Sequence, residues 1–211
     1  MKSIVGTGKT EILEYGVRVL KSRHLEIRKL KRIHTPSSQG FRVWPSSWLL
    51  MDFFNRRGLR NGTRLMDVGC GWGLAGIFCA KKLGALVIGV DIDSEVFPYL
   101  HMHTQINNVE VSTMRMGFDE IVSRHLKGID VMIGADICFC DLLVDSLKEL
   151  VCRALGEGVQ LVVIADPGRP SFDKFGEYFV ERMRGEIRHC SVQRPYLIRG
   201  QILKIGSFAN S

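Results

Sequence analysis

Short apolar runs alternate with segments of helical periodicity through the middle of the chain. The apolar runs at residues 64–68, 85–90, 109–114, 130–135 and 159–165 predict buried strands. The segments at residues 74–83, 94–106, 141–155 and 172–183 predict helices, with Ser94 as an N-cap and Gly84 as a C-cap. Repeated strand–helix units with continuously apolar strands predict an α/β fold whose mostly parallel sheet carries helices on both faces.

Two further segments of strand character stand near the end of the chain, at residues 187–192 and 196–205. No helical pattern separates them, and the connection runs around Pro195. A short connection of this kind joins antiparallel strands rather than parallel ones. We therefore expect a closing antiparallel hairpin.

The segment RVLKSRHLEIRKLKRIH at residues 18–34 carries seven Lys or Arg against one Glu. Apolar residues recur there and just before it at helical spacing: Leu13, Val17, Leu20, Ile27 and Leu30. The pattern predicts a basic amphipathic helix. Two interpretations are open. The helix docks on the domain with a solvated cationic face, or it grips a nucleic acid or an acidic protein.

The composition is that of an ordinary globular protein, with 45% hydrophobic and 24% charged residues in a chain of 211. A net charge of +7 favours anionic partners. No run approaches the roughly 18 apolar residues of a membrane helix, and the N-terminus lacks a secretory pattern. We expect no membrane association and a cytoplasmic location.

Residues 6–10 read GTGKT, the ending of a phosphate-binding loop. The full motif requires a glycine where this chain has Ser3, and a strand that delivers the loop. Only Met1 and Lys2 precede Ser3, so we predict no phosphate-binding loop here.

Six cysteines stand mostly inside apolar stretches, and none has the Cys-x-x-Cys spacing of zinc or redox sites. Cys138 and Cys140, with His101 and His103, offer ligand types for a metal, but a gap of one residue suits structural zinc poorly. We expect reduced cysteines and no metal site.

The strongest motif is LMDVGCGWGLAGIF, in which Asp67, Gly69, Gly71 and Gly73 form Asp-x-Gly-x-Gly-x-Gly between a predicted strand and a predicted helix. This is where ligands approach the carboxyl edge of a doubly wound sheet. The spacing differs from the Gly-x-Gly-x-x-Gly of dinucleotide-binding loops. A carboxylate beside the loop would repel a pyrophosphate but suits a ligand with an amino group and a sulfonium, which points to S-adenosylmethionine.

The second predicted strand ends in GVDID, which places Asp91 eighteen residues after Gly73. A carboxylate at this position can accept hydrogen bonds from both hydroxyls of a ribose. Asp93 is then expected in the following loop near the adenosine.

With these residues the chain resembles the class I, seven-strand S-adenosylmethionine-dependent methyltransferases, over roughly residues 40–206. The resemblance implies a Rossmann-like, doubly wound sheet of order 3-2-1-4-5-7-6 with an antiparallel seventh strand. It divides the chain into a basic helical extension, residues 1–40, and a methyltransferase domain, residues 41–211. The implied cofactor-binding residues are Trp44, Asp67, Gly69, Cys70, Gly71, Gly73, Asp91, Ile92, Asp93, Phe118 and Asp136.

Three stretches resemble the protein lysine methyltransferases of this fold. FRVWPSSWLL is similar to their Trp-Pro segment, with Trp44 near the cofactor, and IGADICF places Asp136 and Phe139 as their Asp-x-x-[Tyr/Phe] element. IADPGRPSF, which contains Arg169, is similar to the lysine methyltransferases of the electron-transfer flavoprotein β subunit. The resemblance implies catalytic roles for Asp136, Phe139 and Arg169, and Asp136 is expected to hold the acceptor amine.

Other roles for these residues stay open. Arg169 binds an acidic patch of the substrate, braces its loop through a bidentate carboxylate pair, or forms an ordinary surface salt bridge. Asp136 serves instead as a helix N-cap.

The expected function is methylation of a lysine side chain in a protein substrate. The sequence Asp136-Ile-Cys-Phe139 is also similar, at a distance, to the Asp-Pro-Pro-[Tyr/Phe] loop of nucleic-acid methyltransferases, although both prolines are missing. The alternatives are therefore an RNA or small-molecule methyltransferase, with RNA held by the basic N-terminal segment, and a non-catalytic binding module of the same fold.

Overall fold

A computed structural model describes residues 6–37 and 39–207. Parts of the two predicted divisions, at residues 1–5, Ser38 and 208–211, lie outside the described residues. The chain order of strands is β1 (Gly6–Thr7), β2 (Glu11–Glu14), β3 (Val17–Leu20), β4 (Arg64–Val68), β5 (Leu86–Asp91), β6 (Val111–Arg115), β7 (Val131–Ala135), β8 (Leu161–Asp166), β9 (Glu186–Val192) and β10 (Ile198–Gly206). The helices are α1 (Leu25–Leu30), α2 (Ser46–Arg57), α3 (Leu74–Leu83), α4 (Phe97–Asn107), α5 (Ser123–Leu126), α6 (Val144–Gly156) and α7 (Pro170–Met183).

Seven strands form the central sheet in the order β6-β5-β4-β7-β8-β10-β9. Counted from β4 as the first, this is the predicted order 3-2-1-4-5-7-6. Strands β4 to β8 pair in parallel, whereas β10 runs antiparallel to both β8 and β9. The predicted α/β fold and the closing hairpin are therefore confirmed.

The sheet separates two apolar layers. Alternate side chains of β8 enter opposite layers: Leu161 and Val163 pack with α2 and α3, while Val162 and Ile164 pack with α6 and α7. Side chains of a strand point to opposite faces in turn, so a strand buried on both sides must be apolar at every position. The predicted strands could therefore be recognised in the sequence as continuous apolar runs.

The prediction of a basic amphipathic helix over residues 18–34 was wrong in extent. Residues 6–20 contain a small antiparallel sheet of β1, β2 and β3, and the helix is limited to Leu25–Leu30. Tyr15 and Gly16 both have positive φ, 52° and 76°, in the two-residue turn between β2 and β3. This is the turn geometry that favours a β-hairpin. The spacing of the apolar residues in this region is compatible with a helix and also with strands.

The small sheet packs on the central domain. Ile12, Val17 and Val19 share an apolar layer with α2 and α3, and Leu20 and Ile27 pack with Trp72 and Tyr99. These contacts extend the core into the first 40 residues. The division of the chain at residue 40 stays a prediction.

Other elements differ in detail from the sequence expectation. Strand β2 follows GTGKT, where a phosphate-binding loop would require a helix. Ser94 was predicted as a helix cap, but the Asp93 carboxylate accepts the Glu95 N–H at 2.9 Å and caps the short 3-10 turn before α4. Helix α2 was not predicted.

Candidate functional site at the carboxyl edge of the sheet

The glycine motif forms the turn between β4 and α3. Gly69, Gly71 and Gly73 have φ of 64°, 52° and 74°, a region that residues with side chains rarely adopt. An added Cβ at Gly69 would lie 2.5 Å from Ile137, and one at Gly73 would lie 2.7 Å from Leu100. At Gly71 it would meet no atom within 4 Å, so the loop backbone opens there onto free space.

Asp91, the last residue of β5, holds this loop. Its two carboxylate oxygens accept the backbone N–H groups of Gly71, at 2.9 Å, and Asp93, at 3.0 Å. Burial raises the pKa of Asp91, and these hydrogen bonds oppose the shift. Each oxygen has a further lone pair available for a ligand.

A cavity of about 280 Å³ lies at the carboxyl ends of β4, β5 and β7 and is called the main cavity here because most of the predicted site residues line it. Nine of the predicted site residues line it: Trp44, Gly69, Gly71, Asp91, Ile92, Asp93, Phe118, Asp136 and Phe139. The carboxyl edge of a doubly wound sheet is where ligands of this architecture bind. Residues far apart in the sequence therefore meet as the glycine motif predicted.

A small cavity of about 30 Å³ shares Trp44, Gly69 and Gly71 with the main one. Asp67 and Cys70, both predicted as cofactor ligands, line this small cavity. The Asp67 carboxylate accepts the Gly76 N–H of α3 at 3.1 Å. Burial, with the charge of Asp91, raises the pKa of Asp67 to about 7. A cationic group in the small cavity would counter this shift by favouring the ionised carboxylate.

A strap, residues 34–37 and 39–44, crosses one side of the main cavity. The Ser37 N–H donates to Asp93 at 2.5 Å, and the Trp72 indole donates to the Gly40 carbonyl at 2.9 Å. The Trp44 indole donates to the Gln39 carbonyl at 2.6 Å. The sequence TPSSQG at residues 35–40 is typical of a turn by its Pro, Ser and Gly content, and it carries no signal for this contact with the cavity.

Asp136 directly follows β7 and has φ of 61°, a strained backbone conformation for a residue other than glycine. Its carboxylate accepts the N–H of Ser46, the first residue of α2, at 2.8 Å. Asp136 is therefore not itself the N-cap residue of a helix: Pro45 has that position in α2, and Asp136 accepts the N–H of Ser46 from ninety residues along the chain. The same carboxylate also lines the main cavity.

Arg169 joins two buried carboxylates at neighbouring strand ends. Its guanidinium donates to Asp166 at 2.6 Å and to Asp136 at 3.0 Å. The Asp166 side chain is fully buried, and that of Asp136 is 3% exposed. Of the roles considered for Arg169, bracing its loop through carboxylates is the one this geometry corresponds to, with two acids in place of one bidentate partner.

Two predicted residues lie outside both cavity linings as described above. Arg169 donates to Asp136 without lining either cavity, and Gly73 is the N-cap residue of α3. Sequence reasoning missed Met116, Gly117 and Leu143, which also line the main cavity. They follow β6 and β7 in loops without a recognisable motif.

Known proteins to which this chain is similar include methyltransferases. A family model described as mycolic acid cyclopropane synthetase matches residues 50–123. The electron transfer flavoprotein beta subunit lysine methyltransferase of Danio rerio is 24% identical over 131 residues, covering 62% of this chain and 50% of that protein. The protein-lysine N-methyltransferase EFM3 of Chaetomium thermophilum is 29% identical over 182 residues, covering 78% of this chain and 53% of that protein.

Among solved structures, an rRNA methylase from Streptococcus thermophilus aligns with a TM-score of 0.59 and 13% identity, covering 79% of this chain and 99% of that one. At this identity the likeness concerns the fold. The chain spans about half the length of the two curated relatives described above. The comparisons confirm the predicted resemblance to the seven-strand S-adenosylmethionine-dependent methyltransferases, lysine methyltransferases among them.

Two features are absent from the described residues, 6–37 and 39–207. No helix there combines the length and the apolar character needed to cross a membrane. No group of three or more His, Cys, Asp or Glu side chains in that part of the chain is arranged to hold a metal ion.

Proposed function

We propose that the chain is an S-adenosylmethionine-dependent methyltransferase that methylates a lysine side chain of a protein. The observation that carries the proposal is the pair of adjacent cavities at the carboxyl edge, which share lining residues and each include an acid, the buried Asp67 or the half-buried Asp91. Asp91 of β5 borders the main cavity and Asp67 of β4 borders the small one. Their positions match the two ends of a ligand with a ribose and a cationic amino-acid part.

The residues present fit this cofactor. Asp91 would accept the ribose hydroxyls, with Ile92 and Phe118 beside the adenine. The open backbone at Gly71 leaves room where the two cavities meet. Asp67 would face the amino group of the methionine part, where a cation would favour its ionised form. When bound, the cofactor supplies a methyl group activated by a sulfonium.

For methyl transfer to an amine, the protein mainly has to orient the acceptor, because the methyl carbon is already activated. The acceptor nitrogen forms a bond to that carbon as the carbon–sulfur bond breaks, and the nitrogen gives up a proton to water. Asp136 is proposed to orient the acceptor amine. Two contacts occupy part of its carboxylate, from Ser46 and Arg169, and lone pairs remain for a third donor. Phe139 is proposed as an apolar wall beside the amine.

A protein lysine is the acceptor that the known relatives favour. Two of them, described above, are named as lysine methyltransferases, and one of these aligns with 78% of this chain. The Asp136 and Phe139 pair, predicted from the same resemblance, borders the main cavity from the loop after β7.

The test is transfer of labelled methyl from S-adenosylmethionine into a lysate, followed by protease, ribonuclease and small-molecule separation. We expect label in a discrete protein band that yields methyl-lysine on hydrolysis. Asp136→Ala should reduce transfer at least about 100-fold, the scale of losing a positioned polar group, while cofactor affinity stays nearly unchanged. Label confined to RNA or small molecules would contradict the lysine proposal. Tight cofactor binding without any transfer would favour a non-catalytic module.

An RNA acceptor is the second candidate, and one observation favours it. Five exposed cations surround α1: Arg23, Arg28, Lys29, Lys31 and Arg32. If RNA binds here, its affinity falls with salt in proportion to the phosphates neutralised. Replacing Arg28 and Arg32 by Gln should then weaken RNA binding and lower the salt dependence, whereas Lys127→Gln, an exposed cation after α5, should leave both unchanged.

A cytoplasmic location is part of the same proposal. All six cysteines are free, three of them only partly buried, as suits a reducing compartment. Cell fractionation of the tagged chain tests it; recovery with an oxidising, secretory fraction would contradict it.

A further inference from the structure

Large apolar side chains are exposed around the mouth of the main cavity. Six of the ten exposed large hydrophobic residues in the described chain form this group, here called the rim: Phe41, Ile92, Phe139, Leu142, Tyr196 and Leu197. Their exposure ranges from 41% at Phe139 to 90% at Leu142. A concentrated apolar surface of this kind marks an interaction site, whereas isolated exposed hydrophobics are ordinary.

Four rim residues line the cavity or stand next to a residue that lines it. Ile92 and Phe139 line the cavity, and Leu142 adjoins its lining residue Leu143. On the strap, the Phe41 ring packs edge-on against Trp44 with a centroid distance of 6.0 Å.

Tyr196 and Leu197 stand in the connection between β9 and β10. Burial raises the pKa of Tyr196, the Asp136 charge adds to this, and a hydrogen bond from Trp48 and the Arg42 charge oppose it. Gln201 of β10 pairs with Asp166 at the carboxyl end of β8, so the connection that precedes β10 lies at the same edge of the sheet as the cavity.

The rim also carries a cation. The Arg42 guanidinium lies 4.1 Å from the centre of the Trp44 ring and 5.4 Å from that of Phe41. Cation–π contacts hold it beside Trp44, a residue that lines both cavities, where its charge would attract a carboxylate of a bound segment. An acidic residue near the acceptor lysine could form an ion pair with Arg42.

We infer that the rim is the docking surface for an extended segment of a protein substrate, in which large apolar and acidic residues flank the acceptor lysine. The inference rests on the proposed function for the acceptor, and adds the substrate class that the mouth selects. A nucleic acid fits less well, because the aliphatic side chains of Leu142 and Leu197 cannot stack on bases as aromatic rings do.

The test uses two fluorescent peptides with a central lysine, one flanked by Leu and Asp and the other by Ser and Lys. Binding to the full chain saturated with S-adenosylhomocysteine is followed by anisotropy. We expect the apolar, acidic peptide to bind at least about tenfold more tightly. Leu142→Glu should weaken that binding by about tenfold, a hot-spot effect, without changing cofactor affinity. Leu86→Glu is the matched control, since Leu86 is 59% exposed at the opposite end of the sheet.

Arg42→Glu adds a second readout, because it should shift the preference toward the basic peptide even if overall binding weakens. Equal binding of both peptides, or equal effects of Leu142→Glu and Leu86→Glu, would overturn the inference. Tighter binding of a single-stranded RNA that is sensitive to Leu142→Glu would replace it with a nucleic-acid surface. Methyl transfer is measured in parallel, so that selective binding without transfer contradicts the enzyme proposal while leaving the docking surface standing.

Discussion

The Arg169 bridge between Asp136 and Asp166 gives the sharpest prediction about stability. Arg169→Met keeps much of the length of the side chain and removes the charge. Two hydrogen bonds to buried carboxylates are lost, each worth about 1.5–3 kcal/mol. Asp166 retains the N–H groups of Gly168 and Arg169, and Asp136 retains that of Ser46. The lower end therefore applies, and we expect a loss of about 3 kcal/mol in the free energy of unfolding.

Urea unfolding at pH 7 measures this loss. Arg188→Met is the control, because Arg188 is 75% exposed and pairs with the exposed Glu186, a contact worth at most about 1 kcal/mol. The deficit of Arg169→Met should shrink as the pH falls, because burial raises the pKa of Asp166 and its protonation removes a charge that Arg169 no longer balances. A deficit equal to that of Arg188→Met, or one independent of pH, would refute the reasoning.

Three further variants test the site. Asp91→Ala should weaken S-adenosylmethionine binding by about 1–3 kcal/mol in a calorimetric titration, and unchanged affinity would remove its proposed ribose contact. Burial raises the folded-state pKa of Asp67 to about 7 from 3.8, which makes the free energy of unfolding fall as the pH rises between these values. Urea titrations should show a smaller fall in Asp67→Asn than in the wild type, because the raised pKa values of Asp91 and Asp166 remain; equal falls would contradict this. Gly69→Ala should lower the melting temperature more than Gly62→Ala, because both have positive φ but only Gly69 would press a Cβ on Ile137; equal losses would leave backbone strain as the whole effect.

The central sheet was predictable because its signals are local. Strand β8 is apolar at nearly every position, and the loop after β4 concentrates three glycines that all have positive φ. The role of Asp91 was predicted from its position at the end of the next strand. Each of these features depends on the strand and the turn next to it, and the family resemblance supplied the strand order.

Features that depend on long-range contacts were not predictable in the same way. The bridge from Arg169 to Asp136 spans 33 positions and requires β7 and β8 to be neighbours. The strap has no motif, and its position depends on contacts with Asp93 and Trp72. At the N-terminus the hairpin turn at Tyr15-Gly16 was the available local signal, and the helical spacing of nearby apolar residues outweighed it.

Calorimetric titration of the purified chain with S-adenosylmethionine tests the central claim most directly, with ATP titrated in parallel. The account predicts saturable binding of one S-adenosylmethionine per chain, and no tight binding of ATP, since GTGKT leads into a strand. No binding of S-adenosylmethionine, or an ATP site of comparable affinity that is lost in Lys9→Ala, would contradict it.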